Sequence, residues 1–168
     1  MSTMIAGAIW LPIADGDPRA LALYERHYSA AKSRWGRVGP ARAQQRTIAG
    51  PGETMLLLTE RADALFVWRK FINDSGQDGV NCAVFRYERD GFACYNSAHS
   101  HCPSRMIIEA DDLAWSRWPG ERLYTYVDPR EVLSANPGYC FKRAGWRFCG
   151  RTKRGLHILE MRPEWTAA

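Results

Sequence analysis

The 168-residue sequence lacks several patterns that would each assign a class of protein. No apolar run approaches the ~18 residues that a helix needs to span a bilayer, so no membrane association is expected. The N-terminal segment has neither a basic region nor a long apolar core, which argues against a signal peptide. The Ser-His-Asp elbow, the Walker A phosphate loop and the HExxH zinc motif are also missing. These absences remove the commonest hydrolase, nucleotide-phosphatase and zinc-protease assignments.

The cysteines are irregularly spaced and odd in number. The five cysteines contain no CxxC pair, and reduced thiols in a cytoplasmic protein are the simplest account of an odd number. Cys94, His99, His101 and Cys102 lie close together, but their spacing matches no finger, ribbon or catalytic zinc motif. We therefore expect no metal site, and favour a polar loop with incidental cysteines over a zinc site.

Acidic residues are missing from two long intervals, although the net charge is only +5. Neither residues 26–52 nor residues 132–159 contain Asp or Glu. Two such basic zones suit a polyanionic partner such as duplex or single-stranded DNA, although solvated basic loops would give the same pattern. The candidate phosphate-binding residues are Lys32, Arg34, Arg37, Arg42, Arg46, Lys142, Arg143, Arg151 and Lys153.

Hydrophobic patterning predicts a single mixed α/β domain over residues 1–168 with the element order β-α-βββ-α-β-α-ββ. Residues 32–51, rich in Gly, Ala and Arg, form a long basic loop in which Trp35 stacks on a base or pins the loop to the body. Asp17 is expected to cap the first helix, and Gly145 to end the last one. The predicted strands cover 5–13, 54–59, 64–72, 80–87, 123–127 and two runs around 153–155, and the helices cover 18–31, 104–117 and 139–144.

The most specific pattern lies between residues 122 and 160. The strand over 123–127 stops at Asp128-Pro129, because proline cannot donate a hydrogen bond to a sheet ladder. We therefore expect the Asp128 carboxylate to be exposed to a cleft at the end of that strand. Asn136 then precedes a short helix that ends in Gly145-Trp146, and a final hairpin follows.

This order resembles the C-terminal half of the GNAT acyltransferase superfamily, in which a strand is followed by an Asn, a short helix ending in Gly-aromatic, and a last hairpin. Residues 126–129, Tyr-Val-Asp-Pro, are similar to the strand-end Tyr-Ala-Asp-Pro of the Mom-like branch, phage enzymes that modify adenine in their own DNA. His27-Tyr28 is similar to the His-Tyr motif of that branch. The resemblance implies a twisted, mostly antiparallel sheet with helices on both faces.

The same resemblance implies an enzyme that transfers a small acyl or carbamoylmethyl group to the N6 amino group of adenine, in the host cytoplasm, and so protects phage DNA from restriction. Asp128 is then the candidate base or orienting carboxylate, and His27 and Tyr28 are candidate proton partners. Without that role, Tyr28 would be a core residue and His27 a cation at a helix C-terminus. The family's usual tyrosine acid corresponds to Phe141, which cannot donate a proton, so the nearby Tyr139 is the candidate acid.

The group donor is left unassigned by the sequence. The glycine-rich loop that would hold the pyrophosphate of acetyl-CoA is absent between residues 89 and 103, so acetyl-CoA is a candidate without its usual motif. Ser104, as the cap of the next helix, Arg105 in its first turn, and Asn136 are the candidate donor-binding residues.

Two other functions fit the same residues. The first is an acetyl-CoA-dependent N-acetyltransferase that acts on a small amine or a peptide. The second is a non-catalytic nucleic-acid-binding protein, such as a phage factor that interferes with host defence through the same basic surface.

Overall fold

Seven β-strands and three α-helices make up the described part of the chain, which comprises residues 9–27, 47–72, 76–88, 102–132 and 134–166 of a computed structural model. The predicted order of elements is confirmed. The strands are β1 (Trp10–Ile13), β2 (Glu53–Thr59), β3 (Ala64–Lys70), β4 (Val80–Tyr87), β5 (Leu123–Val127), β6 (Arg147–Arg151) and β7 (His157–Met161). The helices are α1 (Pro18–Glu25), α2 (Pro103–Arg117) and α3 (Tyr139–Arg143), and a 3₁₀ helix follows at Pro163–Trp165.

The strands form one open sheet in the order β1-β2-β3-β4-β5-β7-β6. Neighbouring strands run antiparallel except for β4 and β5, which are parallel. A parallel pair needs a crossover connection, and the segment that contains α2 supplies it. The chain is therefore mixed α/β with a mostly antiparallel sheet.

The N-terminal boundaries differ from the predicted ones. Strand β1 begins at Trp10, whereas residues 5–8 of the predicted strand lie outside the described residues. Helix α1 ends at Glu25 because the N–H groups of Arg26 and His27 bond to carbonyls only three residues back, those of Leu23 and Tyr24. This tightening of the last turn carries His27 out of the helical path.

The caps predicted at Asp17 and Gly145 are confirmed. The Asp17 carboxylate accepts a hydrogen bond from the Arg19 backbone N–H at 2.9 Å, before Pro18 opens α1. Gly145 has a φ of +98° just after α3, and its N–H donates to the Lys142 carbonyl. The next N–H, that of Trp146, donates to the Phe141 carbonyl, which completes a Schellman motif and turns the chain into β6.

Alternate residues of the central strands belong to two hydrophobic clusters, because successive side chains of a strand point to opposite faces. One cluster contains side chains of α2 and α3 together with Leu57, Phe66, Trp68, Leu123 and Leu159 of the sheet. The other contains Ala20, Leu23 and Tyr24 of α1 together with Leu56, Leu58, Leu65, Val67 and Val84.

Tryptophan side chains fix α2 to its neighbours. The Trp10 indole N–H donates to the Met106 carbonyl at 2.8 Å, and the Trp68 indole N–H donates to the Ala110 carbonyl at 3.0 Å. The Trp146 indole donates to Asp111 Oδ2 at 2.9 Å, while the other carboxyl oxygen is buried without a hydrogen-bond partner among the described residues. Burial raises the pKa of Asp111 well above its usual range, which favours the neutral form of this core acid.

The described helices are too short or too polar to cross a bilayer, and the longest, α2, has 15 residues. Cys82, Cys102, Cys140 and Cys149 are free thiols, whereas Cys94 lies outside the described residues.

Candidate functional site

The two parallel strands separate in the middle of the sheet. Strands β4 and β5 pair over three positions only, from Val80 with Leu123 to Cys82 with Thr125. Beyond that point β4 continues for five residues and β5 for two, but their ladder has ended. The separation leaves a gap in which backbone groups of both strands can meet a ligand.

A pocket of about 350 Å³ lies at this gap. Its wall combines the diverging strands with His27 from the segment after α1 and with the loop that leads into α3. Most of the lining is apolar or aromatic, and the polar groups are few, which is the usual character of a small-molecule site. The lining residues are His27, Cys82, Ala83, Phe85, Thr125, Tyr126, Val127, Val132, Ser134, Asn136, Gly138, Tyr139, Cys140 and Phe141.

His27 is the polar side chain that reaches the pocket from the α1 segment. It is only 8% exposed, and burial, together with the positive charge of Arg86, lowers the pKa of His27 from 6.5 to about 4. The imidazole is therefore neutral at neutral pH and can accept a proton from a bound ligand.

Arg86 is held beside His27 by a network of ion pairs. Its guanidinium donates to the Arg26 carbonyl at 2.9 Å and to the Glu88 carboxylate at 2.8 Å. The Arg26 guanidinium donates to both oxygens of the same carboxylate, at 2.6 and 2.7 Å, and these hydrogen bonds lower the pKa of Glu88 to about 2. The network therefore ties the end of α1 to β4 and keeps a positive charge near the imidazole.

Asn136 lines the pocket on the α3 side with a defined amide orientation. The Lys142 ammonium donates to Asn136 Oδ1 at 2.6 Å. Because an ammonium group has no acceptor, the amide oxygen must face Lys142, and the amide NH₂ then points away from it as a donor. The backbone N–H of Asn136 is held by the Ser134 hydroxyl at 3.2 Å. This arrangement suits a ligand that presents a carbonyl or other acceptor oxygen.

Tyr139 lies at the rim of the same pocket and is 54% exposed. Phe141, which the resemblance would align with a tyrosine acid, is buried and packs against Phe85 and Trp146 at ring distances of 5.9 and 4.9 Å. Phe141 is therefore a core residue, while the exposed phenol of Tyr139, two residues earlier, can donate a proton or a hydrogen bond.

The expected exposure of Asp128 is wrong. The side chain is 1% exposed and does not line the pocket. Its Oδ1 accepts from the backbone N–H and Nε of Arg130, both at 3.0 Å, and its Oδ2 accepts from Arg130 Nη2 at 3.2 Å. The Asp128 carbonyl also accepts from the N–H groups of Glu131 and Val132, so the residue anchors a turn below the pocket wall.

The same pattern occurs at Asp17-Pro18-Arg19. There the Arg19 backbone N–H and Nε donate to Asp17 Oδ1 at 2.9 and 3.1 Å, and Nη2 donates to Oδ2 at 2.8 Å. The Asp-Pro-Arg sequence therefore folds locally into one arrangement, in which the carboxylate caps backbone N–H groups. The pattern explains the local conformation of Asp128. The two copies differ in burial, since Asp128 is more deeply buried than Asp17.

Ser104 and Arg105 lie in the first turn of α2 and do not line the pocket. Ser104 is not the helix cap that was predicted, because Pro103 already occupies the first helical position and Cys102 precedes it. The hydrogen bond between Cys102 Sγ and Ser104 Oγ, 3.2 Å long, is the main cause of a lowered Cys102 pKa. A donor-binding role for the two predicted residues stays a prediction.

The second basic zone lies on α3 and on the hairpin of β6 and β7. Arg143, Arg151 and Lys153 are exposed, and Lys142 is half-buried. Several predicted residues lie outside the described ones: Tyr28, Lys32, Arg34, Trp35, Arg37, Arg42, Arg46, Cys94, His99 and His101. The zinc and basic-loop predictions therefore stay predictions.

The sequence predicted functional roles for His27, Asn136 and Tyr139, and these three residues line one pocket. It did not predict the rest of the pocket wall, which consists of core-type residues such as Cys82, Phe85 and Val132. Their sequence pattern indicates strands and a loop but carries no sign of a cavity. The cavity arises where the β4–β5 ladder ends, with His27 and the loop before α3 completing its wall.

Comparison with known proteins adds no assignment, since no protein family, curated protein or solved structure matches the chain.

Proposed function

We propose that this protein is a GNAT-like transferase that modifies the N6 amino group of adenine in DNA, as Mom-like enzymes do. The observation that carries the proposal is the shared pocket. His27 reaches it from the α1 segment, and Asn136 and Tyr139 reach it from the loop and helix after β5. Separate parts of the chain that carry the predicted motifs thus converge on one cavity.

The architecture supports the GNAT-like part of the proposal. Helix α1 packs with one set of alternating sheet residues, and α2 and α3 pack with the other set, which fits helices on both faces. The single parallel pair opens at the centre of the sheet, where the pocket lies. Because one fold serves many activities, the assignment of the reaction depends on the site residues.

The reaction needs a group that takes a proton from a weak nucleophile. The adenine amino nitrogen shares its lone pair with the ring, so its N–H must be lost as the new bond to carbon forms and the bond to the donor's leaving group breaks. A neutral His27 can take that proton, and Tyr139 can donate a proton to the leaving group. The Asn136 amide can donate a hydrogen bond to a carbonyl oxygen of the transferred group.

Asp128 is proposed as the orienting carboxylate rather than as the base, because Arg130 occupies both of its oxygens and its side chain is buried. Its carbonyl and carboxylate fix the turn that leads to Val132 and Ser134 in the pocket wall. Loss of the charge would therefore act on the reaction through the position of this wall.

The test is mass spectrometry of nucleosides from DNA of cells that express the protein. We expect a modified adenine nucleoside with the wild type and a decrease of roughly 10²–10⁴-fold with His27→Gln, the range of general-base effects. Asp128→Asn should lower the yield as well, and Tyr139→Phe should lower it less if water replaces the phenol.

Asp17→Asn is the matched control, because it alters the same Asp-Pro-Arg pattern away from the pocket. It should leave the yield unchanged. An unmodified adenine pool with well-folded wild-type protein, or full yield from both His27→Gln and Asp128→Asn, would contradict the proposal.

A second candidate is an acetyl-CoA-dependent N-acetyltransferase on a small amine or peptide, and the apolar lining of the pocket favours it. A thermal shift with acetyl-CoA but none with DNA would support this alternative. Stabilisation by DNA together with modified adenine would exclude it as the main activity.

A further inference from the structure

An exposed aromatic ring lies within the second basic zone. Phe148, on strand β6, is 47% exposed, and β6 is an edge strand of the sheet. The Arg151 guanidinium carbon lies 5.8 Å from the centroid of this ring, and the His157 ring meets it edge to face at 5.3 Å. An exposed aromatic ring that lies next to cations can stack with a flat, electron-rich group of a partner.

This ring lies on the side of the sheet that carries α3. Phe148 pairs across the ladder with Leu159, which belongs to the same core cluster as Phe141 of α3. A Cβ atom at Gly138 would collide with the Leu159 side chain, so the start of α3 sits directly on β7. Phe148 and the first turn of α3, which carries Tyr139, therefore flank Leu159 on one face. The ring therefore lies on the same face of the sheet as the start of α3, whose Tyr139 lines the pocket.

The charge of the surrounding segment selects the class of partner. Residues 132–159 contain no acid. The exposed cations of this segment are Arg143, Arg147, Arg151, Lys153 and Arg154. Cations that meet phosphates, combined with an aromatic ring that meets a base, are the two elements of single-strand nucleic-acid sites. In an intact duplex the base faces are stacked on each other and cannot reach such a ring.

We propose that Phe148, together with Arg151 and His157, binds a base of single-stranded or locally opened DNA next to the base that enters the pocket. The inference rests on the proposed function, in which DNA is the acceptor. It adds that the DNA is bound as an unpaired strand. Phe148 stacks on the neighbouring base, and the cations of the hairpin hold the phosphates. The target adenine is then presented to the pocket from an unpaired strand.

Fluorescence anisotropy with an oligo-dT strand tests the proposal at one fixed, moderate salt concentration. Removal of one base-stacking ring is worth roughly 5- to 150-fold in affinity, so Phe148→Ala should raise the Kd by that factor. Phe148→Leu, which keeps apolar volume without an aromatic face, should behave like Phe148→Ala. Phe148→Tyr should bind like the wild type. Leu11→Ala is the control, since Leu11 is 44% exposed on β1 at the opposite end of the sheet.

Full affinity in Phe148→Leu, or an equal loss in Leu11→Ala, would overturn the stacking role. So would a wild-type protein that binds duplex but not oligo-dT, or one that is captured only by acidic peptides. Thymine has no N6 amino group, so the measurement is independent of the transfer reaction. Binding through Phe148 without modified adenine would refute the proposed function alone, whereas modified adenine with normal binding by Phe148→Ala would refute this inference alone.

Discussion

At the scale of single residues, His27 has a protonation state set by its surroundings. Its folded pKa is about 4 against 6.5 in the unfolded chain, so between these values the unfolded state binds a proton that the native state does not. The contribution of His27 to the free energy of unfolding should therefore fall by at most about 3 kcal/mol as the pH drops from 6.5 to 4. Urea titrations across this interval measure the effect.

A variant without the imidazole separates this contribution from others. His27→Gln should flatten the pH dependence between 6.5 and 4. The salt-bridged carboxylates Asp17 and Glu88 have pKa values lowered to about 2, so their contributions are lost only as the pH falls below about 4.5. An unchanged slope above pH 4.5 in His27→Gln would show that His27 is not neutral in the folded protein.

Asp111 gives a pH effect of the opposite sign. Its folded pKa is raised by burial, so the native state holds a proton that the unfolded chain releases as the pH rises above its own pKa. Asp111→Asn mimics the neutral acid and should increase the free energy of unfolding at pH 7 but not near pH 3. Glu60→Gln, at an exposed carboxylate in the turn between β2 and β3, should change neither value. If Asp111→Asn were instead less stable than the wild type at pH 7, Asp111 would have to be charged in the native state.

At the scale of elements, strands and caps could be read from the sequence because each depends on neighbouring residues. Strand β5 ends at Asp128-Pro129, and Gly145 ends α3, as their residue types require. The burial of Asp128 could not be read from strand pattern alone. The Asp-Pro-Arg sequence was nevertheless a usable signal, since its other copy caps α1 through the same hydrogen bonds.

The start of β4 depends on a glycine. Gly79 has a φ of +116°, and a Cβ atom there would collide with the Arg122 carbonyl, which accepts a hydrogen bond from the Val80 N–H. Gly79→Ala must therefore move β4 away from β5 and should lower the free energy of unfolding by roughly 3 kcal/mol or more. Denaturant titration measures this loss.

Gly76 provides the matched comparison in the same connection. Its φ is +73°, but a Cβ atom there would meet no atom of the described residues, so Gly76→Ala should cost only about 1 kcal/mol for the left-handed backbone. Equal losses in the two variants would show that backbone conformation, and not the close approach to Arg122, decides the effect at Gly79.

At the scale of the whole molecule, the pocket exists because distant segments meet. Its walls join His27, the ends of β4 and β5, and the loop before α3. No local sequence pattern predicts where a parallel ladder ends, because the end depends on how the crossover through α2 packs on the sheet. The element order could therefore be predicted from the sequence, while the cavity could not.

The charge distribution of the whole molecule predicts how the proposed DNA binding would respond to salt. Each phosphate contact on a single strand contributes about −0.7 to the slope of log affinity against log salt concentration. Lys153 is an exposed cation in the turn between β6 and β7, within the acid-free segment. Lys153→Gln should therefore make the slope shallower by about 0.7 and weaken binding alike for all sequences. Arg61→Gln, at an exposed cation in the turn between β2 and β3, should leave the slope unchanged. Anisotropy titrations at several salt concentrations measure both slopes, and a wild-type affinity that does not change with salt would contradict phosphate binding by this surface.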